Sequence, residues 1–524
     1  MMNLMMMMGY IILTVSCIFI LRCIWETINW VWFKPRKIEN LLRQQGLVGN
    51  SYKLLYGDLK VNSKMRHEDR EKSIPFTNDY FAHVFPFLHQ LESKYGEICF
   101  SWMGPTPFIN ITNPILLTDA FSRMHDFLKL QLRGHQPQQQ PNPLVASIAC
   151  GLAHYEGDKW DMHRKLLNPA FHMHKLKTTL PAFYTSVIEM VNKWDKLLAT
   201  SSSREIDLCP YLTSLTGDVI SRIAFGSTYD EGRRIFELIS EQQKCVAPLV
   251  NSIYIPGWKY VPTKTNKMIK DKNAEIEHLL KKIIDKKVKA MKNGEGSKDD
   301  VLGILIESTS KREKKLRMSF RDLIEECKLF YFVGHDSTSM LLVWAMILLS
   351  KHQDWQDRAR EEVLATFGTN PPDFEGLNRL KIMKMIIREV SRLYPPAPSV
   401  IRRIKPGGAT LGGLYLPEGL LLGMSIIHAH HNPKYWGDDA KEFKPERFSD
   451  GVGKATNATN TFLPFGWGPR YCIGQNLALI EAKMALSIFF QKFAFELSPS
   501  YSHAPTGVIT LKPQHGAHLI LRRI

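Results

Sequence analysis

The chain has 524 residues, of which 44% are hydrophobic and 23% are charged; this is enough apolar material for a large core and excludes intrinsic disorder of the body. Lysine and arginine outnumber aspartate and glutamate by 17, which favours acidic partners such as an anionic membrane surface or an acidic protein face. We find neither zinc-finger spacing nor an aromatic-basic RNA signature, so no nucleic-acid partner is expected. The eight cysteines include no CxxC pair, which excludes a disulfide framework and fits a reducing compartment.

The amino terminus has the pattern of a membrane anchor. Residues 4–21 are almost continuously apolar, and at helical rise they span roughly 27 Å, close to the hydrocarbon thickness of a bilayer. Aromatic and basic residues follow this run, so the positive-inside rule places the body of the chain in the cytosol. A cleaved signal peptide is the alternative, but the run is long and lacks a basic leader and a small-residue cleavage site. We therefore expect an uncleaved single-pass anchor in the endoplasmic reticulum membrane over residues 1–33, followed by a linker over residues 34–58.

Residues 59–524 have the pattern of one mainly α domain with a small β portion. Apolar residues recur at helical spacing over long segments, whereas short apolar runs bounded by glycine and proline indicate strands. Two polar segments, 135–143 and 451–461, predict loops. The predicted strands are 97–103, 107–111, 410–416 and 420–426, and the clearest predicted helices are 212–225, 273–292, 320–350, 355–367 and 476–495.

One cysteine lies in a segment whose composition points to chemistry. Cys472 follows a loop rich in glycine and proline and begins a predicted helix, so its sulfur is expected at the positive end of a helix dipole, near free backbone N–H groups. This environment lowers the pKa of a thiol and favours the thiolate, which is the form that binds iron. Gly468 and Gly474 would let a flat macrocycle approach the backbone, and Arg470 supplies a cation for a haem propionate. A buried structural cysteine is the alternative.

The segment around Cys472 is similar to the haem-binding signature of the cytochrome P-450 superfamily. Longer segments, among them WDMHRKLLNPAF at 160–171 and FLPFGWGPRYCIGQNLALIEAKMAL at 462–486, resemble the plant clan that includes secologanin synthase and triterpenoid oxidases. The resemblance covers nearly the whole chain after the anchor. It implies a single-domain cytochrome P-450 fold with Cys472 as the thiolate ligand of the iron of haem b. The residues that match the signature are Phe465, Gly468, Arg470, Cys472 and Gly474.

Three further charged residues match a structural element of the family. Glu389 and Arg392 lie at i and i+3 of a predicted helix and therefore share one face, and Arg447 stands in a later Pro-Glu-Arg-Phe segment. The same Glu-x-x-Arg spacing occurs at Glu231 and Arg234, so the spacing alone is a weak signal. The resemblance implies that Glu389, Arg392 and Arg447 form a buried charged network that braces the haem side.

Trp160 and Arg164 form a second constellation. Their i and i+4 spacing on a helix places the indole and the guanidinium on one face, from which both would hold a haem propionate. The alternative is a core tryptophan beside a solvated arginine. By resemblance, Arg403 matches another propionate-binding arginine, and Arg402 is its immediate rival.

Residues 333–338 depart from the family pattern. By resemblance, a small residue, Gly, any residue, an acid and two alcohols are usual here, and the acid and alcohol relay protons to bound dioxygen. In this chain Asp336 keeps the acid, Ser337 and Thr338 are the alcohols, and Val333 adds bulk. Gly334 is expected to relax the helix and open a groove for oxygen and water. The intervening His335 is typical either of helix packing or of a proton donor.

The resemblance implies a monooxygenase that inserts one oxygen atom of O2 into an apolar plant metabolite. A terpenoid of iridoid, triterpenoid or gibberellin type is the expected substrate. The chain has no GxGxxG after a strand and no flavin signature, so electrons from NADPH would arrive through NADPH–cytochrome P-450 reductase, with cytochrome b5 as a further partner beside membrane lipid.

The changes within residues 333–338 keep alternatives open. One is oxidative carbon–carbon cleavage, and another is an isomerase or dehydratase that uses no external O2. A non-catalytic haem- or lipid-binding membrane protein is a third.

Overall fold

The computed structural model describes residues 2–524 except 71, 131–149, 200, 251, 253–256, 311–316, 459 and 508. Helices dominate it and the strands are short, which confirms the predicted mainly α fold. The loop predicted at 135–143 lies outside the described residues. The α-helices are α1 (Met2–Ile28), α2 (Lys34–Gln44), α3 (Leu59–Arg70), α4 (Phe81–Val84), α5 (Pro86–Tyr95), α6 (Pro114–Ser122), α7 (Gly151–His154), α8 (Gly157–Leu167), α9 (Met173–Thr178), α10 (Leu180–Leu197), α11 (Leu208–Ile220), α12 (Tyr229–Val250), α13 (Lys264–Lys292), α14 (Val301–Thr309), α15 (Phe320–Lys351), α16 (Gln353–Phe367), α17 (Phe374–Arg379), α18 (Lys381–Leu393), α19 (Ile426–His431), α20 (Pro433–Trp436) and α21 (Gln475–Lys492).

The strands form small sheets at the edge of the helical body. A five-stranded sheet has the order β1-β2-β8-β5-β3, and β12 lies between β4 and β9 in a second sheet. Two hairpins, β6-β7 and β10-β11, complete the set in the described residues. The strands are β1 (Ile98–Met103), β2 (Thr106–Ile111), β3 (Phe127–Leu128), β4 (Ser203–Asp207), β5 (Ser399–Ile404), β6 (Ala409–Leu411), β7 (Leu414–Leu416), β8 (Leu421–Ser425), β9 (Phe493–Leu497), β10 (Pro505–Gly507), β11 (Leu511–Pro513) and β12 (His518–Arg523).

The long helix α15 forms the centre of the core. Most of its side chains are buried, and α11 packs closely along it. The predicted helices at 273–292, 320–350 and 355–367 and the predicted β1-β2 hairpin are confirmed. The helix α15 also contacts α21, the helix that follows the Cys472 loop, within one hydrophobic core.

Three predicted boundaries are wrong. The single strand at 410–416 is the hairpin β6-β7, because Gly412 and Gly413 both adopt positive φ and reverse the chain. The helix at 476–495 stops at Lys492, and the next residues enter β9, where alternate side chains are buried against β12. The helix predicted at 212–225 begins earlier, at Leu208, whereas its predicted end is confirmed, because a π-helical turn continues α11 up to the left-handed Gly226.

The amino-terminal helix is exposed over nearly all of residues 6–28. The helical segment Met6–Gln44 is long and apolar enough to cross a membrane. None of its most apolar 18-residue stretch is buried, which is consistent with a membrane anchor. The helix α15 is also long and apolar enough to cross a membrane, but 78% of its most apolar 18-residue stretch is buried inside the fold. The segment expected as a linker is folded onto the body: Ile38 and Leu42 of α2 pack beside Phe100, and Gly49 pairs with Phe100.

Candidate active site

The loop that carries Cys472 is closed by backbone hydrogen bonds. The Cys472 N–H donates to the carbonyl of Phe465 over 2.9 Å, and a short 3-10 turn, Gly468–Arg470, lies between them. Gly468 has φ +69°, and a Cβ there would stand 2.6 Å from the carbonyl oxygen of Phe121, so this glycine serves the turn and its packing on α6. A Cβ on Gly474 would meet only the Cys472 sulfur, at 3.9 Å. Gly474 therefore leaves the space beside the sulfur open, as predicted. Gly468, for which the same was predicted, does not.

The Cys472 sulfur is both accessible to solvent and closely surrounded by protein. Its side chain keeps accessible surface, yet enough protein surrounds it that burial raises the pKa of the thiol. The backbone N–H groups of Gly474 and Gln475 and the cations Arg164 and Lys129 act in the opposite direction but do not outweigh burial. The predicted lowering of this pKa is therefore wrong for the polypeptide by itself, because the helix begins only at Gln475 and burial dominates.

Helix α8 packs onto the cysteine loop through two cation–π contacts. The guanidinium of Arg470 lies over the Trp160 ring at 4.2 Å, and that of Arg164 lies over the Tyr471 ring at 4.6 Å. Arg164 also donates to the carbonyl of Tyr471 over 3.0 Å. The i and i+4 residues thus share one face, as the spacing predicts, and that face contacts the loop.

Several cations share the space near the sulfur. Arg402 is 5% exposed, and burial, followed by the charge of Arg470, lowers its pKa to about 10. Burial, Arg402 and Arg470 also lower the pKa of Lys129 well below its ordinary value, with Glu156 acting against them. The Nε atom of Arg403 is buried without a hydrogen-bond partner in the described residues. Buried cations that repel one another require anions nearby. This cluster of cations therefore fits the two carboxylates of a haem.

Part of this charge is already compensated. Arg470 pairs with the Glu156 carboxylate and donates to the carbonyl of Tyr155 over 2.6 Å. Lys129 and Arg402, by contrast, interact chiefly with other cations. Arg402 is therefore at least as well placed as Arg403 to receive a propionate.

Glu389, Arg392 and Arg447 lie together in the core. The Glu389 carboxylate receives Nε of Arg392 at 2.7 Å and Nε of Arg447 at 3.0 Å, and all three side chains are nearly or fully buried. Arg392 also donates to the carbonyls of His430 and Ala440 over 2.8 and 2.6 Å. These contacts connect α18 to the segment that leads into the cysteine loop.

The middle of α15 combines open and buried positions. Val333 is 40% exposed although most of the helix is buried, and Ser337, one turn later, donates its hydroxyl to the Val333 carbonyl over 3.1 Å. Thr338 is buried. Of the two predicted alcohols, Ser337 therefore lies on the open face beside Val333.

Two residues of this helix serve packing. A Cβ on Gly334 would stand 2.6 Å from Cγ1 of Ile220, so the glycine admits α11 and does not open a groove there. His335 is buried, its Nδ1 lies 2.7 Å from the carbonyl of Tyr331, and its ring packs against Phe236. Burial lowers the pKa of His335, which fits the packing alternative.

The sequence gives little sign of several residues at this site. Lys129 and Glu156 belong to no recognisable motif, and they meet Arg470 only through the fold. Thr510 and Lys512 reach Asp336 across more than 170 residues of sequence. No periodicity would have identified them, although Lys512 interrupts an apolar carboxyl-terminal segment.

Comparison with known proteins gives the family. Residues 75–517 match the cytochrome P-450 family. Echinocystic acid 23-monooxygenase of Saponaria officinalis is 53% identical over 98% of this chain and 99% of its own length. Cytochrome P-450 72A397 of Kalopanax septemlobus is 52% identical over 95% of both chains, and cytochrome P-450 CYP72A219 of Panax ginseng is 50% identical over 95% of this chain and 96% of its own. The chain therefore belongs to the cytochrome P-450 family, within a plant group that includes a triterpenoid oxidase, and is a cytochrome P-450 monooxygenase.

Proposed function

We propose that this chain is a haem-thiolate monooxygenase that hydroxylates a plant terpenoid, with a triterpenoid acid as the first substrate to test. The observation that carries the site assignment is the Cys472 sulfur, which lies within electrostatic reach of the cations Arg164 and Lys129. The substrate class is supported by the similarity to echinocystic acid 23-monooxygenase. A terpenoid with few polar groups suits a site that must exclude water and place one C–H bond.

The residues near the sulfur fit haem b. Cys472 would bind the iron, and a metal ion ionises a coordinating thiol despite burial. Trp160, Arg164 and Arg470 would hold one side of the group, while Lys129 with Arg402 or Arg403 would neutralise the propionates. When bound, haem supplies the activation of O2 and the transfer of one oxygen atom to a C–H bond.

Asp336 and Ser337 would supply the proton chemistry. Asp336 is buried and lies one residue before the open position of Ser337. A buried acid and a hydroxyl on neighbouring positions of one helix hold protons close to the oxygen site without admitting bulk water. Thr338, which is buried, would support the helix.

Electrons would come from NADPH through a separate flavoprotein reductase. We propose that the basic surface of this chain, whose formal charge is +17, attracts an acidic reductase face, and that cytochrome b5 uses the same attraction. We also propose that the anchor lies in the endoplasmic reticulum membrane with the catalytic domain in the cytosol. Turnover with reductase should then fall as salt rises, and added protease should degrade the catalytic domain in sealed microsomes.

The test of activity uses full-length chain expressed with a plant reductase in microsomes. NADPH and isotopically heavy O2 are supplied with echinocystic acid, other triterpenoid acids, iridoids and gibberellins. The masses of the products are measured by mass spectrometry. A product with one heavy oxygen, absent with Cys472→Ala, supports the proposal and identifies the substrate. A product formed equally without O2 or NADPH would overturn it in favour of isomerase or dehydratase chemistry.

A further inference from the structure

The Asp336 carboxylate is held by another part of the chain. Its Oδ1 lies 2.5 Å from Nζ of Lys512, and its Oδ2 accepts a hydrogen bond of 2.7 Å from the Thr510 hydroxyl. The Lys512 side chain is 39% exposed, whereas that of Asp336 is 8% exposed. Both carboxylate oxygens are thus committed to the β10-β11 hairpin, while the Ser337 hydroxyl donates within its own helix.

The hairpin is fixed between α15 and the loop that precedes β5. Leu511 accepts a hydrogen bond of 2.9 Å from the Trp344 indole of α15, and its N–H donates to the Pro396 carbonyl over 3.0 Å. Gly507 packs beside Pro398, where a Cβ would stand 3.5 Å from the ring. The hairpin therefore reaches from the loop that precedes β5 to the acid of α15.

A buried carboxylate requires a compensating partner. Without one, the side chain would turn towards solvent. The Lys512 ammonium compensates the charge on one oxygen, and the Thr510 hydroxyl fixes the second oxygen, so the side chain has one defined orientation. Proton transfer depends steeply on such placement, since a displacement of about 1 Å costs on the order of a hundredfold in rate.

We propose that Lys512 and Thr510 are positioning residues for proton delivery, which act by holding the Asp336 carboxylate. The inference rests on the proposed proton role of Asp336 and adds the hairpin as the element that sets it. Neither residue needs to touch the reacting atoms. Their effect should appear in the fraction of NADPH that yields product, because a misplaced acid diverts reduced oxygen to peroxide.

The experiment compares Lys512→Met, Lys512→Arg, Thr510→Val and Asp336→Asn in the full-length chain with reductase, using the panel compound that gives most product. NADPH oxidised, peroxide released and product formed are measured together. The matched control is Lys441→Met, which removes an exposed lysine–aspartate pair with Asp79 at 2.6 Å. Amide hydrogen exchange of residues 505–513 is the second measurement, which does not depend on turnover.

We expect Lys512→Met and Asp336→Asn each to lower product per NADPH roughly tenfold, with a matching rise in peroxide. Lys512→Arg should recover most of the yield, Thr510→Val should lose about two- to threefold, and the double variant Asp336→Asn/Lys512→Met should be no worse than Asp336→Asn alone. Hairpin exchange should accelerate in Lys512→Met and stay unchanged in Lys441→Met.

Two results would distinguish failure of the positioning role from failure of the proton role of Asp336. If Asp336→Asn lowers the yield and neither Lys512→Met nor Thr510→Val does, the positioning role is wrong and the proton role of Asp336 stands. If Asp336→Asn leaves the yield unchanged, the proposed proton role itself fails, and the positioning role with it. Faster hairpin exchange with an unchanged yield would show that Lys512 only stabilises the fold and would also overturn the inference.

Discussion

Gly334 of α15 lies against Ile220, the last residue of α11, so closely that a Cβ on the glycine would stand 2.6 Å from Cγ1 of the isoleucine. We therefore expect Gly334→Ala to overpack this helix crossing and to lower the free energy of unfolding by about 1–3 kcal/mol. The double variant with Ile220→Ala should lose less stability than the sum of the two single losses, because the alanine at position 220 removes the atoms that clash. Denaturant unfolding of the purified variants measures both.

The control is Gly453→Ala, where an added Cβ meets nothing within 4 Å. That variant should unfold like the parent chain. Equal stability of the two alanine variants would contradict the packing explanation and return Gly334 to the predicted role of opening a groove.

The buried charged network gives a second prediction. Glu389→Gln removes the anion that faces Arg392 and Arg447, all at 6% side-chain exposure or less. Leaving buried guanidinium groups uncompensated should cost about 3–5 kcal/mol of stability. The yield of folded protein and the midpoint of unfolding provide the measurement.

A matched exposed pair provides the comparison. Glu446 binds Arg358 at 3.1 Å, and both side chains are more than 40% exposed. Glu446→Gln should change stability by no more than about 1 kcal/mol. If both glutamine variants behave alike, the network does not brace the core.

The cation cluster gives a third prediction. Lys129→Met and Arg402→Met should each release haem several-fold faster than the parent chain, because each removes a buried charge that a propionate would neutralise. The rate of haem transfer to excess apomyoglobin measures this release.

Arg403→Met provides the comparison between the two arginines. The control is Lys165→Met, which removes an exposed ion pair with Asp161. A larger effect at Arg403 than at Arg402 would restore the assignment made from resemblance.

His430 gives a prediction for acid stability. Its Nε2 accepts from the Leu463 N–H at 2.8 Å and its Nδ1 lies 3.1 Å from the Arg392 carbonyl, which requires the neutral ring. Burial, and then the charge of Arg392, lowers the pKa of His430 to about 3. The unfolded chain takes up this proton near the ordinary pKa of about 6.5, so the stability that the neutral ring contributes is present above that pH and is lost as pH falls.

As the pH falls from roughly 6 to roughly 4, His430 alone should lower the free energy of unfolding by about 1.4 kcal/mol per pH unit. His154 and His503, whose pKa values burial lowers to about 4, act with the same sign. His430→Gln should make the dependence shallower, and substitution of the exposed His174 should not. A parallel pH dependence in the His430 and His174 variants would contradict this assignment.

The local part of the site follows from sequence, whereas its long-range part does not. The Cys472 loop is encoded within ten residues, and the i, i+4 spacing of Trp160 and Arg164 suffices to place both on one face. The choice between Arg402 and Arg403 depends on which way β5 faces, because adjacent strand residues point to opposite sides. The sequence alone cannot supply that orientation.

The same limit explains the errors in the fold. The apolar run that forms α21 continues without a break signal into Phe493, and pairing with β12 converts its end to strand. Tertiary pairing overrides local propensity at such ends. The contacts of Thr510 and Lys512 with Asp336 likewise depend on the fold, because the partners are separated by 174 and 176 positions in the sequence.

The central claim is that Cys472 binds the haem iron as a thiolate. The most direct measurement is the carbon-monoxide difference spectrum of reduced microsomes that contain the full-length chain, with Cys472→Ala at equal protein level and haem content measured in parallel. We predict the shifted band of a thiolate-ligated haem in the parent chain and its loss in Cys472→Ala. A shifted band that persists in Cys472→Ala would contradict the assignment.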